Sequence, residues 1–435
     1  MTQKYSGWVA IAVISLIPVL LWLVLGPGLE EFGDYESATH SVGELAGLVA
    51  MTMFALTFVL STRITYIEDL FGGLDKVYIA HGILGASALT LILAHPIFLV
   101  LKFVPDDMRQ AAIYLLPSDY WSVNFGIIAL FGMILLIVIT LFVRMKYQHW
   151  KFTHEFLGLV FFFAVLHIFL VPTDATADNV FDGYYFYAAA VSAIGLGAFT
   201  YSLVLKDRLA KAAPYRIDSV NVKSSGMYEL VMSPEHKPIS YKAGQFIFVR
   251  FYNEKLSSEA HPFSIASKSN DSSIRIVVKS LGDYTDKMHH LKAGDKVSVE
   301  GPFGRFNFER KASKPQIWLA GGIGITPFLG MAEDLKVGAF HNPRIKLYYS
   351  VREKKDFVGL EELREVEAAT DNFTVVPWVT SEKGRLQLKD IDAGTLTANE
   401  YFLCGPGPFK KSLIDNLVRQ GVPKSHIHTE EFEFR

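Results

Sequence analysis

The 435-residue chain has one cysteine, Cys404. That excludes an internal disulfide framework and any cysteine-held zinc or iron–sulfur centre. Charge is also scarce, at 20% of residues, where a soluble globular protein carries about a quarter. The 42 Lys and Arg against 44 Asp and Glu leave a net charge of −2. No overall basic field exists to attract nucleic acid. The chain has no internal repeat, low-complexity stretch or EF-hand loop. Its composition excludes disorder, collagen and coiled coil. What it does have is 50% apolar residues, a mean hydropathy of +0.25 and thirteen histidines. Much of such a chain lies in lipid.

The apolar residues gather in the first half. Six spans, 8–25, 41–60, 78–101, 121–143, 154–171 and 184–205, are long enough to cross a hydrocarbon core of about 30 Å. Lys4 before the first span suggests a secretory leader. However, Leu25-Gly26-Pro27-Gly28 is a poor cleavage site and five more spans follow, so it is read as a helix. Segments on the N-terminal side hold Lys4, Arg63, Lys76, Arg144, Lys146, Lys151, Lys206, Arg208 and Lys211. Those on the other side hold only Lys102 and Arg109. The excess puts both termini in the cytoplasm of a multi-pass protein of the plasma membrane.

From Pro214 onward the pattern changes. Short runs such as 245–249 and 274–278 read as strands bounded by Gly, Asp and Ser. After Lys314-Pro315, buried-strand runs at 317–320, 345–349 and 401–403 alternate with helical patterns. That alternation predicts a parallel α/β sheet. The expected organisation is a six-helix transmembrane bundle over 1–211, an antiparallel β-barrel over 214–312 and an α/β domain over 313–435.

Ionisable residues inside membrane helices are costly and are functional candidates. His81 and His95 fall in the third span, 14 residues apart, and His154 and His167 in the fifth, 13 apart. Each pair is separated by about 20 Å along its helix. Both helices run outward, so His81 is level with His154 and His95 with His167. Two helices that each give one imidazole at two depths can hold two stacked, six-coordinate b-type haems. The third-span histidines lie about 40° apart around a straight helix, but those of the fifth lie about 140° apart. A π-bulge or local unwinding near Gly158 accounts for this, or else the two haem planes sit differently. His149 competes for the inner position, but it lies in a polar run that solvation explains.

The run from Arg63 to His81, Arg-Ile-Thr-Tyr-Ile-Glu-Asp-Leu-Phe-Gly-Gly-Leu-Asp-Lys-Val-Tyr-Ile-Ala-His, together with the histidine spacings, resembles the ferric reductase transmembrane domain. That superfamily includes the NADPH oxidases and ferric-chelate reductases. Once the second half is added, the resemblance covers nearly the whole chain and is strongest to a prokaryotic NADPH oxidase.

His261-Pro262-Phe263-Ser264 resembles the flavin motif of ferredoxin–NADP reductase-like domains. The resemblance implies that Phe263 and Ser264 contact the isoalloxazine and ribityl of FAD, and that His261 approaches the pyrophosphate. Lys279 through Thr285 resembles the second flavin segment. Gly282 there lets backbone amides meet a diphosphate, and Thr285 starts a helix whose N-terminus favours anions. Gly301-Pro302-Phe303-Gly304 fits the turn that closes such a barrel. Ile317 to Pro327 reads as a strand, a turn with Gly321, Gly322 and Gly324, and a helix opened by Thr326 and Pro327. That matches the nicotinamide-binding turn. Ser350 and Arg352 are placed to bind the 2′-phosphate of NADPH; a solvated loop that also holds Lys354 and Lys355 is the alternative. Cys404, Gly405 and Pro406 resemble the segment beside the nicotinamide, with the Cys404 side chain itself a small buried hydrophobe. Relatives end in an aromatic that covers the flavin, and Phe432 matches that register, with Phe434 as the alternative.

The resemblance implies electron flow from NADPH, with NADH a second donor, through FAD and two haems to an outer acceptor. Three readings stand. The first is an oxidase making superoxide from O2, the second a ferric-chelate reductase, and the third a membrane subunit serving a protein partner. The complete flavin and nicotinamide motifs argue against the third, so no obligatory protein partner is expected. The partners are a lipid bilayer and a small-molecule acceptor, with no nucleic acid.

Overall fold

The computed structural model describes residues 3–25, 32–104, 106–171, 183–205, 212–224, 226–257, 259–311, 313–336 and 343–430. The chain divides into two compact units, Met1–Leu209 and Ala210–Arg435.

The first unit is helical. Helix α1 spans Gln3–Leu25, α2 Tyr35–Ser61, α3 Leu74–Leu101, α4 Trp121–Phe142, α5 Tyr147–Leu170 and α6 Gly183–Thr200. A π-helical turn, Tyr201–Leu205, extends α6, and a short helix, Thr65–Phe71, precedes α3. All six spans are long and apolar enough to cross a bilayer, so the chain is a multi-pass membrane protein. Asp34 caps α2 by accepting from the amide of Ser37 at 3.0 Å, which satisfies one of the orphan donors at the helix start. Val24, Leu141 and Phe142 project outward and are largely exposed, as side chains facing lipid are. The bundle interior holds Phe54 and Phe58 of α2, Phe161 of α5 and Phe199 of α6. The Phe161 ring sits 5.2 Å from that of Phe54 and 5.3 Å from that of Phe58, both edge-on. This geometry suits aromatic quadrupoles.

In the second unit β1 (Ala213–Ser224), β2 (Met227–Pro234), β3 (Phe246–Tyr252), β4 (Ala260–Ser264), β5 (Ile274–Lys279) and β6 (Lys296–Phe303) form an antiparallel sheet. Its order is β4-β3-β6-β1-β2-β5. The two edges meet through a bridge between Ile265 and Ile276, which closes the sheet into a barrel around Leu230, Val249, Phe251 and Ile276. Closure therefore differs from the expectation. Gly301-Pro302-Phe303 is the end of β6 rather than a turn, and the β4–β5 bridge joins the edges.

Next come β7 (Gln316–Gly321), α7 (Thr326–Lys336), β8 (Ile345–Val351), α8 (Leu360–Ala369), β9 (Phe373–Val379), β10 (Glu400–Cys404), α9 (Gly407–Arg419) and β11 (Ile427–Thr429). The strands are parallel in the order β11-β10-β7-β8-β9. The chain moves outward from β7 to β8 and β9, then returns to β10 on the other side of β7. The gap beyond the carboxyl ends of β7 and β10 is thus a topological switch point, where open α/β sheets bind ligands.

Candidate functional site

The four membrane histidines meet in two pairs. The ring centroids of His81 and His154 are 6.1 Å apart, and those of His95 and His167 are 6.4 Å apart. Pairing at both depths requires α3 and α5 to run in the same direction. A metal–imidazole bond is about 2 Å, so two rings that face one ion through Nε2 have centroids about 6 Å apart once each ring's radius is added.

Each ring is tethered on its other nitrogen. Nδ1 of His81 donates to the Thr57 carbonyl at 2.9 Å, and Nδ1 of His95 to the Gly43 carbonyl at 2.7 Å. Nδ1 of His167 donates to the Ser122 carbonyl at 2.8 Å. Nδ1 of His154 lies 3.3 Å from Thr140 Oγ1. That hydroxyl gives its own proton to the Leu136 carbonyl, so it accepts from the imidazole. Every Nδ1 therefore carries hydrogen and every Nε2 keeps a lone pair. Trp150 stacks on His154 at 5.2 Å and 8° and donates Nε1–H to the Thr140 carbonyl at 3.2 Å. These backing groups were not singled out in the sequence.

The phase gap of α5 is narrowed by a tightened turn, and no π-bulge interrupts the helix between His154 and His167. At Phe156 the amide bonds to the Thr153 carbonyl, three residues back, and the helix tightens. Thirteen residues at about 100° fall about 140° short of four turns, and 3₁₀ winding at about 120° per residue narrows that gap. Local unwinding would widen it. Gly158 instead receives the Phe199 ring, which a Cβ there would meet at 2.1 Å. His149 is exposed, in keeping with solvation.

In the second unit His261, Pro262 and Ser264 lie opposite Val249, Phe248 and Phe246 in the β3–β4 register. Pro262 is tolerated because β4 is an edge strand. The His261 ring stacks on Tyr284 at 3.6 Å, and its Nε2 is 3.4 Å from Glu259. Burial lowers the His261 pKa against the opposing pull of Glu259, and burial pushes the Tyr284 phenol up. This stack brings the 261–264 strand against the loop that carries Gly282 and Thr285. Phe263 is half-buried, with its ring 6.3 Å from that of Phe251. Lys279 is exposed at the end of β5.

The expected helix at Thr285 is a 3₁₀ turn of six residues, Thr285–His290. Thr285 Oγ1 accepts from the amides of Leu281 and Gly282 at 3.0 and 3.2 Å. The hydroxyl thus organises the loop internally and occupies amides that the sequence assigned to a diphosphate.

At the switch point the glycines have steric reasons. Gly322 and Gly405 have φ of +56° and +153°, a region that side chains other than glycine rarely adopt. A Cβ at Gly324 would lie 2.3 Å from the Cys404 carbonyl oxygen. The turn after β7 and the segment after β10 therefore meet backbone to backbone, and Gly321, Gly324, Cys404 and Gly405 come together. Pro406 precedes α9. Thr326 is buried and donates to the Ile323 carbonyl at 2.7 Å, and Pro327 follows in the first turn of α7. Ser350 is buried opposite Gly321 in the register, whereas Arg352 is exposed just past β8. Lys354 and Lys355 pair with Glu382 and Glu353; among the described residues Arg352 has no ion pair. A cleft of about 550 Å³ lined by Lys354, Phe357, Leu360, Pro377 and Lys383 lies at the carboxyl end of β9. Phe432 and Phe434 fall outside the described residues.

A bundle of membrane helices with paired imidazoles, joined to a flavin-type barrel and a parallel nucleotide-binding sheet, defines a membrane oxidoreductase class. Residues 46–165 match the ferric reductase like transmembrane component, 213–321 the FAD-binding domain and 318–413 the oxidoreductase NAD-binding domain. The chain has the domain architecture of the ferric reductase and NADPH oxidase superfamily. It is similar to the ferredoxin reductase component of 3-ketosteroid-9-alpha-monooxygenase from Mycolicibacterium smegmatis, at 29% identity over 45% of this chain and 56% of that protein. It is also similar to the toluate 1,2-dioxygenase electron transfer component of Pseudomonas putida, at 26% identity over 49% of this chain and 62% of that protein. The chain thus spans less than two thirds of the length of these relatives. A flavohemoglobin from Malassezia yamatoensis shares the fold alone, at 17% identity and a TM-score of 0.51 over 91% of this chain and 98% of that one.

Proposed function

We propose that the protein takes electrons from NADPH at the cytoplasmic face and delivers them singly to an acceptor at the outer face, O2 being reduced to superoxide. The observation that carries this reading is the pair of imidazole pairs, with all four Nδ1 atoms tethered and four Nε2 lone pairs left. Among the described residues no three His, Cys, Asp or Glu side chains gather as a metal site. A bare ion would find two protein ligands at each level, whereas a haem brings four nitrogens of its own and needs two more. The donor sets fit two b-type haems, the inner held by His81 and His154 and the outer by His95 and His167. FAD, when bound, would convert a two-electron hydride donor into a one-electron source, and the haems would carry single electrons across the bilayer.

The residues of the second unit have separate tasks in this reading. Gly321, Gly322 and Gly324, with Gly405, admit the coenzyme backbone at the switch point. Arg352, exposed and without an ion pair among the described residues, would bind the 2′-phosphate beside Ser350. His261 and Ser264 would hold FAD along β4, with Thr285 shaping the facing loop. Phe432, by its register in the sequence, is assigned the task of covering the flavin where the nicotinamide would stack.

The test is NADPH-driven reduction of cytochrome c by the purified protein, with and without superoxide dismutase. Inhibition by dismutase is expected. Reduction indifferent to dismutase and to O2, but supported by a ferric chelate, would assign the ferric-reductase reading instead.

A further inference from the structure

The outer imidazoles are seated by a shared device. His95 reaches the carbonyl of Gly43, and the residue one turn further along α2 is Gly47. His167 reaches the carbonyl of Ser122, and one turn further along α4 is Gly126. A helical carbonyl at position i already accepts from the amide of i+4, so a second donor must approach it past the side chain of i+4. Here that side chain is absent in both cases. A Cβ on Gly47 would lie 2.8 Å from His95 Nδ1, and one on Gly126 would lie 2.7 Å from His167 Nδ1. Real Cβ atoms essentially never come that close, and what would have to move is a ring wedged against a carbonyl.

In sequence these are two small-xxx-small motifs, Gly43-Glu44-Leu45-Ala46-Gly47 and Ser122-Val123-Asn124-Phe125-Gly126. Such motifs ordinarily mark close helix–helix approach. In this bundle the room is filled by imidazole. The inner pair is built differently. Thr57, which accepts from His81, is followed one turn later by Ser61, and His154 uses the Thr140 hydroxyl in place of a carbonyl.

We infer that Gly47 and Gly126 are positioning residues for the outer haem, each holding open the path by which an axial imidazole donates Nδ1–H to a helix carbonyl. The inference rests on the proposed ligation by His95 and His167. An alanine at either position would push the ring off its carbonyl. It would thereby weaken the backing that fixes ring orientation and ligand basicity, and would leave the inner pair untouched.

The test uses the full-length, haem-loaded protein and two independent variants, Gly47→Ala and Gly126→Ala. Haem content and the low-temperature EPR g-values of the two low-spin centres are measured. Expected is loss of one haem per chain, or a shift of one set of g-values with the other unchanged. Gly197→Ala, where an added Cβ has nothing within 4 Å, should keep both sets at wild-type values. The two seats lie on different helices, so failure of one variant to accumulate leaves the other to decide. Two unaltered signals in both variants overturn the inference alone. Fewer than two low-spin haems in the wild-type protein overturn the proposed ligation and the inference with it.

Discussion

Arg275 of β5 reaches out of the barrel and meets Glu362 of α8 at 2.6 Å. The same guanidinium lies 3.4 Å from Glu333 of α7 and 3.5 Å from Glu229 of β2, and it donates to the Ala266 carbonyl. One cation thus serves three carboxylates, two of them on the nucleotide-binding sheet's own helices. Burial pushes the Glu333 carboxyl up, with Arg275 as the main opposing influence.

Arg275→Ala should therefore destabilise the second unit by about 2–3 kcal/mol, below the roughly 3–5 kcal/mol that breaking a fully buried pair costs, because Glu362 is partly exposed. Thermal unfolding measures it. The double variant Arg275→Ala/Glu362→Gln should lose less than the sum of the two single changes. Additive losses would mean that the pair carries no coupling.

In the proposed function, replacing His95 or His167 should separate the two halves of the electron path. His95→Ala or His167→Ala should leave one haem per chain by extracted-haem assay. NADPH should still reduce the flavin at its usual rate, because the flavin and coenzyme residues lie in the second unit. A variant that retains both haems would exclude that histidine as a ligand.

Coenzyme choice tests Arg352. The 2′-phosphate is the one group that distinguishes NADPH from NADH, and a charge-assisted bond to it contributes about 1.5–3 kcal/mol. Arg352→Ala should raise the KM for NADPH about 10- to 150-fold and change that for NADH little. Equal weakening of both would move phosphate recognition elsewhere, Lys354 and Lys383 at the neighbouring cleft being the next cations to replace.

The His261 imidazole couples stability to pH. Its pKa in the folded protein lies below the ordinary 6.5, so the unfolded chain takes up its proton first as pH falls. Stability from this group is complete above about 6.5 and declines as pH drops from there toward the folded value. Thermal unfolding at pH 7.5 and 5.5 should show that decline, and His261→Gln should remove its share. An unchanged pH profile in the variant would show that the buried ring does not titrate in this range.

The six spans, the four histidines and the three-part order of the chain were legible because each is written in local pattern: a run of apolar residues, a spacing, a glycine-rich turn after a strand. What the histidines lean on was not. The carbonyl that receives His95 lies 52 residues away and belongs to Gly43, and a backbone acceptor leaves no trace in residue type. The small-xxx-small motifs were the available signal. Arg275 escaped for a related reason, since its partners sit on three other elements. The tightened turn of α5 at Phe156 is announced by no residue there. Thr285 does open a helical turn, a 3₁₀ one, yet its hydroxyl turns inward to its own loop, a choice that depends on loop geometry.

Each tether in the membrane unit runs from a histidine-bearing helix to the helix made just before it: α3 to α2, α5 to α4. The smallest piece that can seat an imidazole is therefore a hairpin. Synthesis proceeds from the N-terminus, so the first hairpin has both its carbonyl seats before α4 exists. The second hairpin then brings the opposing rings to a wall already set. Assembly of the imidazole pairs thus follows the order of the chain, and an error in α2 is carried into the seating of both α3 rings.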